Sequence, residues 1–300
     1  VDLESKYVQK IINKIQNSED PEEYKQIEIS LWSKIKDTCL SSRRTGCGFL
    51  ALGDTLAALG LTYSNDENTT SFIEKVFSLK MKAELNASID LAIIYEPFKG
   101  WNKHNEFIEI NKIIIGANKF YQFLAKEYPE ETKRMKEFGR RNVSWSTAAP
   151  TGSQSILTQT TSGIEPLFLP FYKRRVKCID ENQRVDFIDT DGQKFTEYVV
   201  LHYQFKQWIK INHPEIDIKN LNPDDTQKLY EQSPWFGSCA GDIDFEARII
   251  IQNIVQRYTS HSISSTLNLP NNATEQQVND IYYKSWKLGL KGQTVYRDGC

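Results

Sequence analysis

Apolar residues return at helical spacing through most of the first half of the chain. Leu3 to Ile15 reads as an amphipathic helix. The run Ser18-Glu19-Asp20-Pro21 closes it and opens a second, with Pro21 at the first helical position, that continues to about Cys39. Phe72, Val76, Phe77, Leu79, Met81, Leu85, Ile89 and Leu91 predict a helix from Glu67 to about Tyr95, and Asn111 to Tyr128 predicts another. Glu96 to Lys103 is the loop between them; Trp101 and His104 nearby are candidates to line a pocket, and the bland alternative is scaffold. Between the second helix and Glu67, Ser41 to Gly48 is a turn and Phe49 to Leu59 a compact apolar segment broken at Gly53-Asp54. Its small residues suit backbone packed on backbone. A carboxylate in such a segment needs a partner, and Arg43 or Arg44 is nearest in sequence, which favours a structural ion pair over catalysis.

The pattern changes after Asn142. Asn142 to Ala148 is a short β-prone run that turns at Pro150. Glu181 to Thr196 is polar, with a hairpin signal at Thr190-Asp191-Gly192. A helix is predicted over Glu197 to Ile211, a loop over His213 to Pro223, and a short helix capped by Asp224-Asp225 to about Gln232. Ile243 to Tyr258 is again helical in period. Ser262 to Leu269 alternates like a strand, Thr274 caps a helix from Glu275 to Leu288, and Gly292 to Tyr296 is a last strand. Strand and helix alternating in this way point to βαβ units and a parallel sheet, open or closed into a barrel. The fold class is therefore α/β and helix-rich, with a helical part over 1–140 and a strand-helix part over 141–300 in which Lys177 to Gly241 is a polar insertion or subdomain.

At 300 residues and 39% hydrophobic the chain can bury a large core. A net charge of −2 carries no sign of nucleic-acid binding; the one basic cluster, Lys173 to Lys177, reads as a solvated patch or a local anion contact. No run approaches the roughly 20 apolar residues that span a bilayer, and VDLESKYVQK has no signal-peptide core. The five cysteines, Cys39, Cys47, Cys178, Cys239 and Cys300, are scattered and odd in number. That suits reduced thiols in a cytoplasmic protein, which makes the sequons at Asn68, Asn86, Asn142 and Asn272 chance matches. The four isolated histidines read as surface or core residues rather than metal ligands. The first residue is not Met and the end follows a strand running into a turn, so the chain reads as a piece of a longer protein.

The stretch with the most chemical content is Asn142 to Pro170. Folds built from βαβ units collect ligands beyond the carboxyl ends of strands, and Ala149 to Gln154 follows such a run. Pro150, Thr151, Gly152, Ser153 and Gln154 would offer hydroxyls and successive N–H groups to an anion, with Gly152 allowing close approach and Ser155 a weaker candidate. The same residues also suit an ordinary capped strand-loop-helix connection. No Walker-type, G-x-G-x-x-G, H-E-x-x-H or G-x-S-x-G motif is present.

Several segments, in order, resemble the ribonucleotide reductase large chain: Arg43-Arg44-Thr45-Gly46-Cys47-Gly48 through Asp54, Ala149 to Ser153 through Thr160 to Pro166, His261 to Ser264, Asn268-Leu269-Pro270, and Lys291 to Gly299. The resemblance is closest to the adenosylcobalamin-dependent class. It implies the second half of a ten-stranded α/β barrel built from two five-stranded halves, which makes 1–300 a partial barrel. The implied reaction replaces the ribose 2′-hydroxyl of a ribonucleoside di- or triphosphate by hydrogen, through a cysteine thiyl radical, with a cysteine pair supplying two electrons and a thioredoxin-like reductant regenerating it. It assigns the substrate phosphates to Pro150, Thr151, Gly152, Ser153 and Gln154. The family's Asn-Pro-Cys-x-Glu segment is missing, so the radical cysteine, the reducing pair and most cobalamin contacts are expected on an N-terminal half outside this chain, and no catalytic cysteine is assigned here. The tandem Tyr pair of the di-iron class is replaced by Thr294-Val295 before a single Tyr296, which favours cobalamin over that alternative. The other alternative is a non-catalytic nucleotide-binding or interaction module that kept the same barrel half.

Overall fold

The computed structural model describes residues 1–110, 113–116, 118–180 and 182–299. In chain order the elements are α1 (Asp2–Gln16), α2 (Glu22–Ser42), α3 (Leu52–Ala58), α4 (Glu67–Tyr95), α5 (Lys103–Glu106), β1 (Phe107–Ile110), β2 (Ile113–Gly116), α6 (Lys119–Glu127), α7 (Pro129–Phe138) and α8 (Gly152–Thr158). There follow β3 (Phe171–Lys177), β4 (Phe187–Ile188), β5 (Lys194–Leu201), α9 (Tyr203–Asn212), a 3-10 turn (Ile218–Asn220), α10 (Pro223–Glu231), α11 (Phe245–Arg257), β6 (Thr266–Leu269), α12 (Glu275–Leu288) and β7 (Thr294–Arg297). Contacts divide them into two units: Val1–Gly48, Glu74–Ala148 and Val255–Ile263 form one; Phe49–Ile73, Ala149–Ile254 and Ser264–Cys300 form the other.

In the first unit α1 buries Val8 and Ile12, and an ion pair from Arg43 to Asp2 at 2.8 Å closes the α1–α2 hairpin. Pro21 stands at the N-cap of α2 rather than at its first helical position, and Arg43, in the left-handed region at φ 47°, ends the helix. The expected helix from Asn111 to Tyr128 is only half there. Asn111 lies outside the described residues, β2 pairs antiparallel with β1, and the helix begins at Lys119 behind an Asn118 cap. A run of isoleucines prefers the pleated backbone to a helix, where its branched side chains lose rotamer freedom. Asn142 to Ala148 is extended without forming a regular strand: it makes parallel bridges at Ser146 to Cys47 and at Ala148 to Ile263. Trp101 packs with Phe98, Tyr121 and Trp145 around the buried Arg140 guanidinium, at 5.1–5.6 Å. Its N–H groups donate to the Glu106 carboxylate and to the Asn142 and Val143 carbonyls.

In the second unit, α3 runs unbroken through Gly53 and Asp54, contrary to the expected interruption. Gly53 is needed there because a Cβ would sit 3.0 Å from the Glu165 carbonyl and 3.1 Å from the Leu167 nitrogen. The hairpin at Thr190 to Gly192 joins β4 to β5, with Gly192 at φ 76°. β5 then occupies the first third of the expected Glu197–Ile211 helix, up to Leu201, and α9 starts only at Tyr203. Thr196, Tyr198, Val199 and Val200 favour the strand, and β3 pairs along it from Phe171–Leu201 to Lys177–Phe195. The α10 cap is Asn222, which accepts from the Asp225 N–H, with Pro223 at the first helical position; Asp224 and Asp225 lie inside the helix. The last strand-helix-strand unit is as expected in kind: β6 and β7 pair in parallel, joined by α12 and its Thr274–Gln277 capping box. β6 is shorter than the alternating run, starting at Thr266. Two apolar clusters hold the unit, one around Phe205, Ile209 and Trp235 and one around Ile249, Leu267 and Ile281. Three small sheets result, two of them antiparallel, and the described residues form no closed barrel.

Candidate functional site

The loop Pro150 to Gln154 begins α8, and its shape is set from outside the helix. Thr151 caps α8 in the left-handed region at φ 50°. Its Oγ1 accepts the Gly163 N–H at 2.7 Å. Gly163 is itself at φ 49°, and a Cβ on it would lie 2.8 Å from the Ala149 carbonyl. Glycine is therefore required at the point where the Ser162–Pro166 turn folds against the loop. The N–H groups of Gly152, Ser153 and Gln154 precede any i−4 carbonyl of their own helix. All three residues are exposed, and a Cβ added at Gly152 would meet nothing within 4 Å. Ser155 is different. It is buried, its hydroxyl donates to the Gly152 carbonyl at 2.7 Å and accepts from Ser162 at 2.9 Å, so it braces the loop from within.

A cleft of about 460 Å³ opens beside this loop, lined by Pro150, Thr160, Thr161, Ser162, Glu165, Pro166, Leu167, Phe168, His202, Ala240, Ser264, Thr266 and Asn268. Of the five predicted phosphate residues only Pro150 lines it. Its polar wall is made by hydroxyls and by two anchored side chains that sequence spacing did not single out. His202 is held by Asp54, whose carboxylate meets the imidazole Nε2 at 3.0 and 3.1 Å. Asp54 also accepts from Trp235 Nε1 at 3.0 Å and from the Thr161 N–H at 2.8 Å. The expected partners of Asp54, Arg43 and Arg44, are engaged elsewhere, with Asp2 and with Ser144. Glu165 is held by the buried Arg248 and accepts the Thr266 N–H at 2.8 Å. Arg248 also donates to the Tyr63 hydroxyl and the Thr266 carbonyl, both at 2.7 Å. Burial pushes the Tyr63 hydroxyl up to about 12, against the opposing pull of Arg248.

The described cysteines are free thiols, and none lines this cleft; Cys300 lies outside the described residues. Burial raises Cys39 and raises Cys239 to about 11. Burial, then a hydrogen bond to Glu84, raises Cys47. Such thiols are poor thiolates. Among the described residues no group of three His, Cys, Asp or Glu is placed to hold a metal ion, and no helix is long and apolar enough to cross a membrane. The basic run on β3 is exposed, with Lys173 and Arg175 paired to Glu197 at 3.4 and 2.9 Å.

The cleft, the braced loop and the parallel β6–α12–β7 unit can be set against known proteins. The vitamin B12-dependent ribonucleotide reductase of Streptantibioticus cattleyicolor is 28% identical over 289 residues, covering 89% of this chain and 46% of that protein. The vitamin B12-dependent ribonucleoside-diphosphate reductase of Mycobacterium tuberculosis (strain CDC 1551 / Oshkosh) is 25% identical, covering 89% of the chain and 33% of that protein. Its namesake from Thermoplasma acidophilum is 26% identical, covering 88% and 29%. The chain thus spans less than half the length of these relatives. Residues 15–296 match the family model described as "Ribonucleotide reductase, barrel domain", and on that match along nearly its whole length the chain belongs to this family.

Proposed function

We propose that this chain is the substrate-phosphate-holding part of an adenosylcobalamin-dependent ribonucleotide reductase, corresponding to the second half of a ten-stranded barrel with 177–241 as an insertion. The observation that carries the proposal is the start of α8. Three exposed N–H groups, an unobstructed Gly152 and a Thr151 locked by Gly163 present donors without internal acceptors. Anions are stabilised by such oriented amides. The hydroxyls of Thr160, Thr161 and Ser162 and the His202 imidazole would face the rest of a ribonucleoside di- or triphosphate in the adjoining cleft.

The cleft beside the loop, of about 460 Å³, is smaller than a corrin with its adenosyl ligand. Most contacts to the cofactor, together with the radical cysteine and the reducing pair, are therefore assigned to a complementary N-terminal half, with a thioredoxin-like protein as reductant. This chain supplies binding and orientation.

The test is to mix this chain with such a half, adenosylcobalamin and reductant, and to assay deoxynucleotide. Calorimetry on the same mixture is expected to show Ser153→Asp weakening nucleotide binding by at least ~1 kcal/mol through like-charge repulsion. Unchanged affinity removes the loop from the site. Nucleotide binding without turnover supports the non-catalytic alternative.

A further inference from the structure

A second cavity, of about 610 Å³, lies in the same unit between β5 and the segment Ile218 to Pro223. The functional reading above makes no use of it. Its most informative wall is backbone. His202 donates to the Pro170 carbonyl and Cys178 to the Lys194 carbonyl. With the β3–β5 register, these bonds place the even-numbered residues of β5 in the hydrogen-bonded pairs with β3. The odd-numbered residues therefore turn their N–H and C=O groups to the opposite edge. There Phe195 is met by β4, which is only two residues long. At Glu197 two side chains take over, with the Asp186 carboxylate accepting its N–H at 2.8 Å and Arg184 donating to its carbonyl at 2.8 Å. Beyond Glu197 no strand among the described residues pairs with this edge. Val199 and Leu201 open into the cavity, each half-buried.

The charges around this edge are unequal. Of its two carboxylates, Glu197 is paired with Lys173 and Arg175, and Asp186 with Arg184. Lys206 and Lys219 also line the cavity, and neither forms an ion pair among the described residues. An open strand edge accepts another strand through main-chain hydrogen bonds, and the uncompensated lysines select its charge. We propose that this groove binds an extended acidic segment of a partner protein, which adds to β5 beyond the end of β4 and places its carboxylates on Lys206 and Lys219. The proposal is independent of any reductase activity, since the binding of peptide to this chain is its own readout.

The test is fluorescence anisotropy with a short labelled peptide of alternating valine and glutamate. Saturable binding is expected, weakening as salt rises. Val199→Pro removes the outward N–H without touching the bonds to β3, so the fold, followed by circular dichroism, is expected to stand. Affinity is expected to fall about tenfold, the scale of one lost hydrogen bond. Lys206→Gln combined with Lys219→Gln is expected to weaken both the affinity and its salt dependence. The same peptide carrying N-methyl groups on alternate residues leaves the protein untouched and is expected not to bind. Equal binding of the methylated peptide overturns the proposal, as does binding indifferent to Val199→Pro in folded protein. Competition by inorganic phosphate stronger than that of chloride at equal ionic strength would mean a dedicated anion site, and occlusion by a second copy of the chain a self-association edge; either also overturns it, as does a failure to saturate.

Discussion

Asp54 is surrounded by donors: the His202 imidazole, the Trp235 indole and the Thr161 amide. Asp54→Ala strands all three in a buried setting, where each unsatisfied donor costs about 1–3 kcal/mol. Urea unfolding is expected to show a loss of at least ~3 kcal/mol, with a smaller loss for Asp54→Asn, which keeps one acceptor oxygen. A loss under ~1 kcal/mol would mean that water replaces the carboxylate. That a carboxylate inside an apolar segment needs partners was readable from the sequence, but their identity was not. Proximity along the chain pointed to Arg43 and Arg44, whereas His202 lies 148 residues away and Trp235 181. Asp66 permits a pH test at the same scale. The Ser64 hydroxyl, then the Thr69 N–H, hold its carboxyl at about 2 against an ordinary 3.8. The folded value is the lower one, so its contribution to stability is complete above about 3.8 and is lost as pH falls through 2. Asp66→Asn is expected to narrow the stability gap to the parent protein across that window and nowhere above it. A gap that stays constant down to pH 2 would remove the carboxylate from the acid response.

At the scale of elements, local chemistry decided what could be read. The α12 cap was legible because Thr274 and Gln277 satisfy each other's backbone within four residues. Thr274→Ala is expected to cost about 1 kcal/mol in thermal or urea unfolding, and no measurable loss would mean that packing of Ile281 alone holds the helix. The hairpin at Gly192 was legible for the same reason, since its turn residues carry their own conformational preference. β5 was not, because Glu197 to Leu201 is apolar enough for either a helix or a strand, and only pairing with β3 decides. β2 was lost likewise inside the longer apolar run from Asn111 to Tyr128. For the candidate site, the phosphate loop was visible as a string of small and hydroxylated residues. The brace that shapes it, Gly163 against Ala149 and Thr151, required knowing which backbone segment lies so near that a Cβ on Gly163 would meet the Ala149 carbonyl at 2.8 Å.

For the molecule as a whole, the arrangement of strands bears on what else it needs. β6 and β7 form a parallel pair with no third strand among the described residues. Parallel sheets occur almost only with both faces covered, in larger sheets or barrels, and their open edges invite pairing with another chain. Exposed apolar surface in the same unit points the same way. On α12, Tyr282, Tyr283 and Trp286 are exposed, with the Tyr283 and Trp286 rings 6.0 Å apart, and on α8 Ile156 and Leu157 are 80% and 85% exposed. Under the proposed function these are surfaces that a complementary half-barrel would cover. Sedimentation velocity on this chain alone is therefore expected to show association that grows with concentration, together with binding of a hydrophobic dye. Adding the complementary half should replace the mixture by one defined species and quench the dye, while Trp286→Lys with Tyr283→Lys should reduce self-association without lowering unfolding stability. A chain that stays monomeric and dye-free at high concentration would mean that these edges and rings are covered within the chain itself, and the case for a missing half would then rest on family membership alone.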